Sequence, residues 1–140
     1  MELMPYLTFG GTCEEAMNFY KDCFGGSFES FNYYKDGPAE MGAPEHLNDK
    51  IMHMSLRFGD NLLMGSDSMG DAPATGNITL NITTNTVDEL DAAYGKLSAG
   101  GQIEMPLQDM FWGARFGMFT DKYGIKWMLN CQMTDATSET

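Results

Sequence analysis

The sequence repeats its pattern at an interval of 74 residues, and this repeat limits the folds that it can adopt. The residues that recur are Glu15 as Glu89, Tyr20 as Tyr94, and Gly26 as Gly100. Each lies in or just after an amphipathic helical pattern that follows a strand-like apolar run. Halves of about 70 residues are too long for solenoid repeats and too short for two robust independent domains. We therefore predict one pseudo-symmetric domain whose site lies where the halves meet.

The local patterns predict the same order of elements in each half. Apolar residues at helical spacing, followed by Gly-Gly or Ala-Gly-Gly, predict helices over 13–24 and 87–98. Thr12 is the candidate N-cap of the first helix, with Glu15 as its capping-box partner. Strands are predicted over 4–9, 27–34, 51–58, 62–65, 77–83, 102–108, 111–120 and 125–131. This order predicts an α+β fold with one helix on the back of each mixed four-stranded sheet.

The predicted domain spans residues 1–132, with repeat one at 3–67 and repeat two at 76–132. A segment rich in Gly, Pro, Ser and Ala over 67–76 is the predicted linker, and 133–140 is expected to be a flexible polar tail. Residues 35–49 form a long aperiodic loop and are a candidate lid over the site.

The composition argues against several classes of partner. The net charge of −12 disfavours nucleic acids and anionic membrane surfaces, since binding to them depends on Lys and Arg. The three cysteines, Cys13, Cys23 and Cys131, have no C-x-x-C spacing, which indicates reduced thiols in the cytoplasm. We expect no signal peptide and no membrane span, because no basic leader and no apolar run of about 18 residues occurs.

Several sequence blocks, taken in order, resemble the vicinal oxygen chelate superfamily of glyoxalases, bleomycin-resistance proteins and extradiol dioxygenases, and within it the PhnB-like branch. The blocks are PYLTFGG at 5–11, EA at 15–16, FYK at 19–21, FGG at 24–26, MHM at 52–54, LMGSD at 63–67, WGARFG at 112–117 and TDKYGIKW at 120–127. The resemblance covers residues 4–132. It implies two βαβββ repeats whose curved mixed sheets surround a cleft, and pairing of the chain as a homodimer.

The resemblance also identifies where metal-dependent members hold a divalent ion. Their four ligands, usually His and Glu, come from the first and last strand of each half. The matching positions here are Pro5, Met64, Thr79 and Met128. Proline has no side-chain donor and thioethers suit only soft ions, whereas a hard cation requires carboxylate, carbonyl or imidazole ligands. We therefore expect no metal and no cofactor.

His53 is the first candidate functional residue. It lies within a predicted strand, on the same face as Ser55 and Arg57. On a cleft-lining face it would act as a general base or contact an anion. The alternative is a histidine that is hydrogen-bonded on a solvated or dimer face. Asp67 either bonds His53 or caps a turn.

Trp112, Arg115 and Trp127 form a second candidate cluster, with Tyr6 as a further ligand contact. An arginine flanked by aromatic rings binds planar or anionic ligands through its guanidinium. Alternatively, the tryptophans fill the core and Arg115 pairs with one of the many acids.

Two functions follow as hypotheses. The first is a metal-independent protein that binds an apolar or aromatic small molecule through Tyr6, His53, Asp67, Trp112, Arg115 and Trp127. The alternative is a glyoxalase- or dioxygenase-type enzyme with a metal at non-standard positions or acid–base chemistry by His53 and Asp67. A dimer with a vestigial cleft is a third reading. The sequence does not decide whether the protein is a catalyst.

Overall fold

The chain divides into two compact units, Met1–Ala74 and Thr75–Thr140. The computed structural model describes residues 1–70 and 78–133. Most of the predicted linker and nearly all of the predicted tail therefore lie outside the described residues.

The first unit is a four-stranded mixed sheet with one long helix. Its elements are β1 (Tyr6–Phe9), α1 (Cys13–Phe24), β2 (Ser27–Tyr33), β3 (Ile51–Phe58) and β4 (Asn61–Asp67). The strand order is β1-β4-β3-β2, in which β1 runs parallel to β4 and the other neighbours are antiparallel. α1 packs on β3 and β4.

The second unit repeats this topology. Its elements are β5 (Leu80–Thr83), α2 (Val87–Leu97), β6 (Gln102–Asp109), β7 (Ala114–Thr120) and β8 (Lys126–Gln132). The strand order is β5-β8-β7-β6, with β5 parallel to β8, and α2 packs on β8. The first strand and the helix of this unit begin 74 residues after their counterparts. The predicted α+β fold and βαβββ order are confirmed.

In each unit the apolar core lies between the helix and one face of the sheet. The buried helix residues are Cys13, Ala16, Met17 and Tyr20 in α1, and Leu90, Ala93 and Leu97 in α2. Buried strand residues alternate with less buried ones, for example Trp127 and Leu129 with Met128 and Asn130. Because successive strand side chains point to opposite faces, each sheet has a second face turned away from its helix.

We call these two surfaces the first and second open faces. The first open face carries Tyr6, Thr8, Ser30, Asn32, His53, Ser55, Met64 and Ser66. The second carries Asn81, Thr83, Met105, Gln108, Phe116, Met118, Met128 and Asn130.

The glycine pairs after both helices have a packing reason. A Cβ atom at Gly26 would stand 2.0 Å from the Arg57 carbonyl oxygen, and one at Gly101 would stand 2.2 Å from that of Thr120. These carbonyls lie at the ends of β3 and β7, at equivalent places in the two units. The chain therefore needs glycine where it leaves each helix and enters the next strand.

The helix caps differ from the prediction. Thr12 makes no side-chain cap at α1. The Asp67 carboxylate accepts the Gly11 and Cys13 N–H groups there. A reciprocal cap forms at α2 instead. The Thr86 hydroxyl accepts a hydrogen bond from the Glu89 N–H, and the Glu89 carboxylate accepts one from the Asn85 N–H.

The loop over 35–49 contains short 3₁₀ turns at Tyr34–Asp36, Ala39–Met41 and Glu45–Leu47. Its ends are joined by a hydrogen bond from the Lys35 N–H to the Asn48 carbonyl, and the Leu47 side chain is buried. Its closure over a cleft stays a prediction. Neither described helix has the length and hydropathy of a membrane span.

Candidate functional site

Tyr6 and His53 meet on the first open face. The Tyr6 hydroxyl oxygen lies 3.0 Å from His53 Nδ1, and the ring centroids are 5.6 Å apart. Tyr6 is on β1 and His53 on β3, so the pair spans the intervening strand β4. Met64 of β4 is the cross-strand partner of both Tyr6 and Ser55. The pair is accessible, since 46% of Tyr6 is exposed and His53 is only partly buried.

This hydrogen bond works in either direction. A neutral imidazole accepts a hydrogen bond from the tyrosine hydroxyl at Nδ1, which leaves its Nε2–H as a donor to a ligand. A protonated imidazole donates from Nδ1 to the tyrosine oxygen, which frees the phenol proton. The pair therefore offers a ligand a hydrogen-bond donor in both protonation states.

Two further hydroxyl groups lie on the same face. Ser30 Oγ and Ser55 Oγ are 2.8 Å apart across β2 and β3. The alternating pattern of β2 could have indicated Ser30, but its pairing with Ser55 depends on the strand register.

Tyr34 is a site residue that the sequence did not indicate. Its hydroxyl donates a 2.6 Å hydrogen bond to the Asp67 carbonyl. Burial raises the pKa of Tyr34, and the nearby Asp67 charge and Tyr6 add to the rise. The phenol therefore stays protonated and holds the start of the 35–49 loop against the end of β4.

Asp67 is buried, and its carboxylate connects three backbone segments. Its Oδ1 accepts the Gly11 and Cys13 N–H groups at 2.9 Å each, and Oδ2 accepts the Ile51 N–H at 2.9 Å. His53 is hydrogen-bonded to Tyr6 rather than to this carboxylate. Burial, followed by the charges of Asp67 and Glu14, raises the pKa of the Cys13 thiol well above its ordinary range.

Asp67 also lines a polar recess beside the start of α1, of about 330 Å³. The other lining residues are Gly11, Glu14, Glu15, Asn18, Asp49 and Lys50. Lys50 Nζ crosses this recess to donate a 2.9 Å hydrogen bond to the Gly11 carbonyl.

The structure separates the predicted cluster of Trp112, Arg115 and Trp127. Arg115 bonds Asp91 of α2 at 3.1 Å and Asp109 at 2.8 Å, on the helix side of the second sheet. These carboxylates raise the pKa of Arg115.

The two tryptophans also lie apart. Trp127 is buried on the helix side, and its Nε1–H donates to Asp121 at 2.8 Å. Trp112 is half exposed and lies against Phe111 and Phe116, with ring centroids 5.1 and 6.3 Å away. Phe116 points to the second open face, so Trp112 belongs to that face and the other two side chains to the core side.

The strand register shows which residues stand beside two of the positions predicted from metal-dependent relatives, Met64 and Met128. Met64 pairs with Tyr6, and Met128 pairs with Asn81. Pro5 and Thr79 lie just before β1 and β5, and the assignment of the four ligand positions stays a prediction. Pro5 precedes β1 and contributes its carbonyl to the Met64 N–H.

The side chains at these positions do not fit a hard divalent cation. A proline, a hydroxyl and two thioethers lack the carboxylate and imidazole ligands that such an ion requires, and the strand partners Tyr6 and Asn81 add only a phenol and an amide. Across residues 1–70 and 78–133, no group of three or more His, Cys, Asp or Glu side chains is close enough to hold a metal.

Comparison with known protein families identifies the superfamily of this chain. Residues 4–129 match the Glyoxalase/Bleomycin resistance protein/Dioxygenase superfamily. The protein belongs to this superfamily.

Individual relatives cover nearly the whole chain. It is 32% identical to Protein YjdN of Escherichia coli K12 over 93% of this chain and 95% of that one. The crystal structure of protein PA1353 from Pseudomonas aeruginosa superposes with a TM-score of 0.85 at 35% identity, covering 94% and 98% of the two chains. A Bacillus cereus PhnB protein, described as a putative 3-demethylubiquinone-9 3-methyltransferase, gives 0.80 at 28% identity, covering 94% and 99%. The likeness to PhnB confirms the predicted branch.

Proposed function

We propose that the protein binds an apolar or aromatic small molecule without a metal ion, against the Tyr6–His53 pair of the first open face. The observation that carries this proposal is the 3.0 Å hydrogen bond between Tyr6 and His53, on an accessible face beside Met64. A thioether adapts its shape to an apolar ligand, and the imidazole supplies a directed polar contact.

The donor chemistry supports metal independence. The predicted ligand positions Met64 and Met128 carry thioethers, and their strand partners are Tyr6 and Asn81. Each is a weak ligand for a hard cation but a suitable contact for an organic molecule.

A second candidate function is acid–base catalysis by His53. The bond to Tyr6 favours it, because the imidazole and the phenol together provide a proton acceptor and a proton donor within one contact. This enzyme would act on a substrate whose reacting atom reaches Nε2 of His53. His53 would be the base, and Tyr6 would orient its ring.

The methyltransferase description of the Bacillus cereus relative is not carried over to this chain. The sequence contains no G-x-G-x-x-G pattern, and the turn from β1 into α1 holds only the pair Gly10-Gly11. We therefore propose no methyl donor.

We further propose that the protein acts in the cytoplasm as a homodimer. Large apolar side chains support the pairing: Leu3, Ile78, Phe111 and Trp112 are between 50% and 99% exposed in the isolated chain. Sedimentation equilibrium tests it. A mass of twice 15.5 kDa is expected, and a monomer at micromolar concentration contradicts it.

Ligand-induced thermal stabilisation tests the binding function. A panel of aromatic metabolites is added in the presence of a chelator, and a binder at 100 times its Kd adds about 2.7 kcal/mol to the free energy of unfolding. His53→Gln and Tyr6→Phe should each weaken the binding of the panel compound about fivefold, which is the effect of one lost hydrogen bond.

The matched control is His46→Gln, which changes the other histidine of the chain, exposed in the 35–49 loop. It should leave the affinity unchanged. Equal effects of the two histidine variants, or no binder in the panel, would refute the proposed site. If a bound compound is turned over, and His53→Gln abolishes this turnover while His46→Gln does not, the result would favour acid–base catalysis by His53.

A further inference from the structure

The second open face carries a closed hydrogen-bonded ring of three side chains. Asn130 Nδ2 donates to Asn81 Oδ1 at 2.7 Å, and Asn81 Nδ2 donates to Thr83 Oγ1 at 3.2 Å. Thr83 Oγ1 completes the ring by donating to Asn130 Oδ1 at 3.3 Å. All three side chains lie on the parallel pair β5 and β8 and are accessible to a ligand. We call them the amide ring.

The amide ring holds its members in place and leaves part of their bonding capacity unused. Each asparagine has two N–H donors and a carbonyl oxygen with two acceptor sites, and the ring uses one of each. One N–H and one acceptor site on both Asn81 and Asn130 are therefore available. These groups are uncharged and offer donors and acceptors side by side.

This pattern selects the polar edge of a ligand. A carboxamide or a lactam also places an N–H next to a C=O, so both of its groups find partners on the amide ring. A carboxylate would find donors but would also face carbonyl oxygens, in a chain of net charge −12. A ketone would use only the donors. An uncharged amide-type edge is the best match.

The rest of the face selects the ligand body. Met128 on β8 is flanked by Met118 on β7, which is flanked by Met105 on β6. Phe116 lies opposite Asn130, and Trp112 packs against Phe116. Strands are about 4.8 Å apart, so this apolar surface extends roughly 10 Å from β8 to β6, about the width of two fused rings. Thioethers and aromatic edges pack well on a flat ring system.

We propose that the second open face binds a planar, uncharged molecule of about two rings that carries a carboxamide or lactam edge. The amide ring forms hydrogen bonds with that edge, and the methionines and Phe116 pack against the fused rings of the ligand. The inference rests on the proposed function only in that the protein binds small molecules. It adds a second contact surface and a ligand class.

Three probes of nearly equal shape test the class. 2-Naphthamide carries the amide edge, 2-acetylnaphthalene replaces its NH₂ by CH₃, and 2-naphthoate replaces the amide by a charged carboxylate. Isothermal titration of the full chain should give the tightest binding for the amide. We expect about fivefold weaker binding of the ketone, for one lost hydrogen bond, and the weakest binding for the carboxylate.

Substitutions in the amide ring locate the contact. Asn130→Ala removes a donor and an acceptor, and Thr83→Val opens the ring while keeping a β-branched strand residue of the same shape. Both should weaken the amide at least fivefold and the ketone less, because the ketone uses the donors of the amide ring but not its acceptors. Asn61→Ala is the control, since Asn61 is an exposed strand asparagine at the start of β4 and belongs to neither open face.

The outcomes separate this inference from the proposed function. Equal affinity for the amide and the ketone, failure of 2-naphthamide to bind, or insensitivity to both ring variants overturns the ligand class. Panel compounds that depend on His53 would then still support the function. An amide-selective probe that depends on Asn130 and Thr83 supports the inference even where no compound depends on His53.

Discussion

At the scale of single residues, Asp67 shows how one side chain can determine the geometry of the first unit. Its carboxylate accepts backbone N–H groups from the turn after β1, from the start of α1 and from the start of β3. Side-chain acceptors buried against such donors are costly to remove, because each N–H is left without a partner. Asp67 therefore supports the strand that carries His53 without touching His53.

Replacing Asp67 by Ala should lower the free energy of unfolding by about 3 kcal/mol or more, since two buried N–H groups and one partly buried N–H group lose their acceptor. Asp67→Asn should be milder, because an amide keeps one oxygen but turns a donor toward one N–H. Urea denaturation measures both. Asp22→Asn, at an exposed position of α1, is the control and should stay within about 0.5 kcal/mol. A tolerated Asp67→Ala would contradict this role.

The raised pKa of the Cys13 thiol predicts that the protein loses stability in alkaline solution. Its pKa is raised in the folded protein, so the folded chain keeps the thiol proton at pH values where the unfolded chain loses it. Unfolding then releases a proton, and rising pH favours it. The contribution is constant below the ordinary thiol pKa of about 8.5 and declines above it by up to about 1.4 kcal/mol per pH unit.

Cys13→Ala isolates this effect from the tyrosines and lysines that also titrate in alkali. Unfolding curves at pH 7.5 and 9.5 should show that the wild-type protein loses more stability than the variant, by about 1 kcal/mol. Parallel losses in both proteins would mean that the thiol is not shielded.

At the scale of elements, the contact between α1 and β4 depends on a residue without a side chain. A Cβ at Gly65 would stand 3.3 Å from Cys13 Sγ and from the Leu7 carbonyl, and 3.4 Å from Met17 Sδ. The helix therefore packs closer to this strand than any larger residue would allow.

Gly65→Ala should destabilise the protein by about 1–3 kcal/mol through overpacking. Gly95→Ala is the matched control, because Gly95 lies in α2 with no neighbour within 4 Å of an added Cβ. That change should stabilise by about 0.5–1 kcal/mol, as alanine is the better helix former. Thermal unfolding of both variants measures the two changes in stability, which should have opposite signs. Shifts of the same sign would contradict the close packing of α1 on Gly65.

Most elements of this fold could be predicted from local patterns. The helix over 13–24 and the strand over 51–58 agree with the structure at both ends. The predicted strand over 62–65 is too short, since β4 extends over Asn61–Asp67. The predicted strand over 4–9 is too long, since β1 begins at Tyr6. Gly65 and Pro5 weaken the strand pattern, while pairing with neighbouring strands decides the real ends.

The candidate site could be predicted only in part, because it depends on register between distant strands. A shift of one residue moves a strand side chain to the other face, so the pairing of Tyr6 with Met64 decides which side chains share the first open face. The Tyr6–His53 bond and the amide ring both rely on a parallel strand pairing between the first and last strands of a unit. No local pattern specifies that pairing.

At the scale of the whole molecule, the duplication preserves the scaffold while the two open faces differ. The first presents hydroxyls and an imidazole around Met64, and the second presents three methionines, Phe116 and the amide ring. A chelate site would require matched ligands from both repeats, whereas Met64 and Met128 carry thioethers beside a phenol and an amide. The superfamily fold is thus compatible with binding that does not use a metal.

The central claim is that a small molecule binds this protein without a metal ion. The most direct measurement is the Kd of the strongest panel compound by isothermal titration, once in chelator and once with one equivalent of Zn²⁺, Ni²⁺, Mn²⁺ or Fe²⁺. We predict equal Kd values in all five conditions. Binding that appears only with a stoichiometric metal, or tightens tenfold with it, would contradict metal-independent binding.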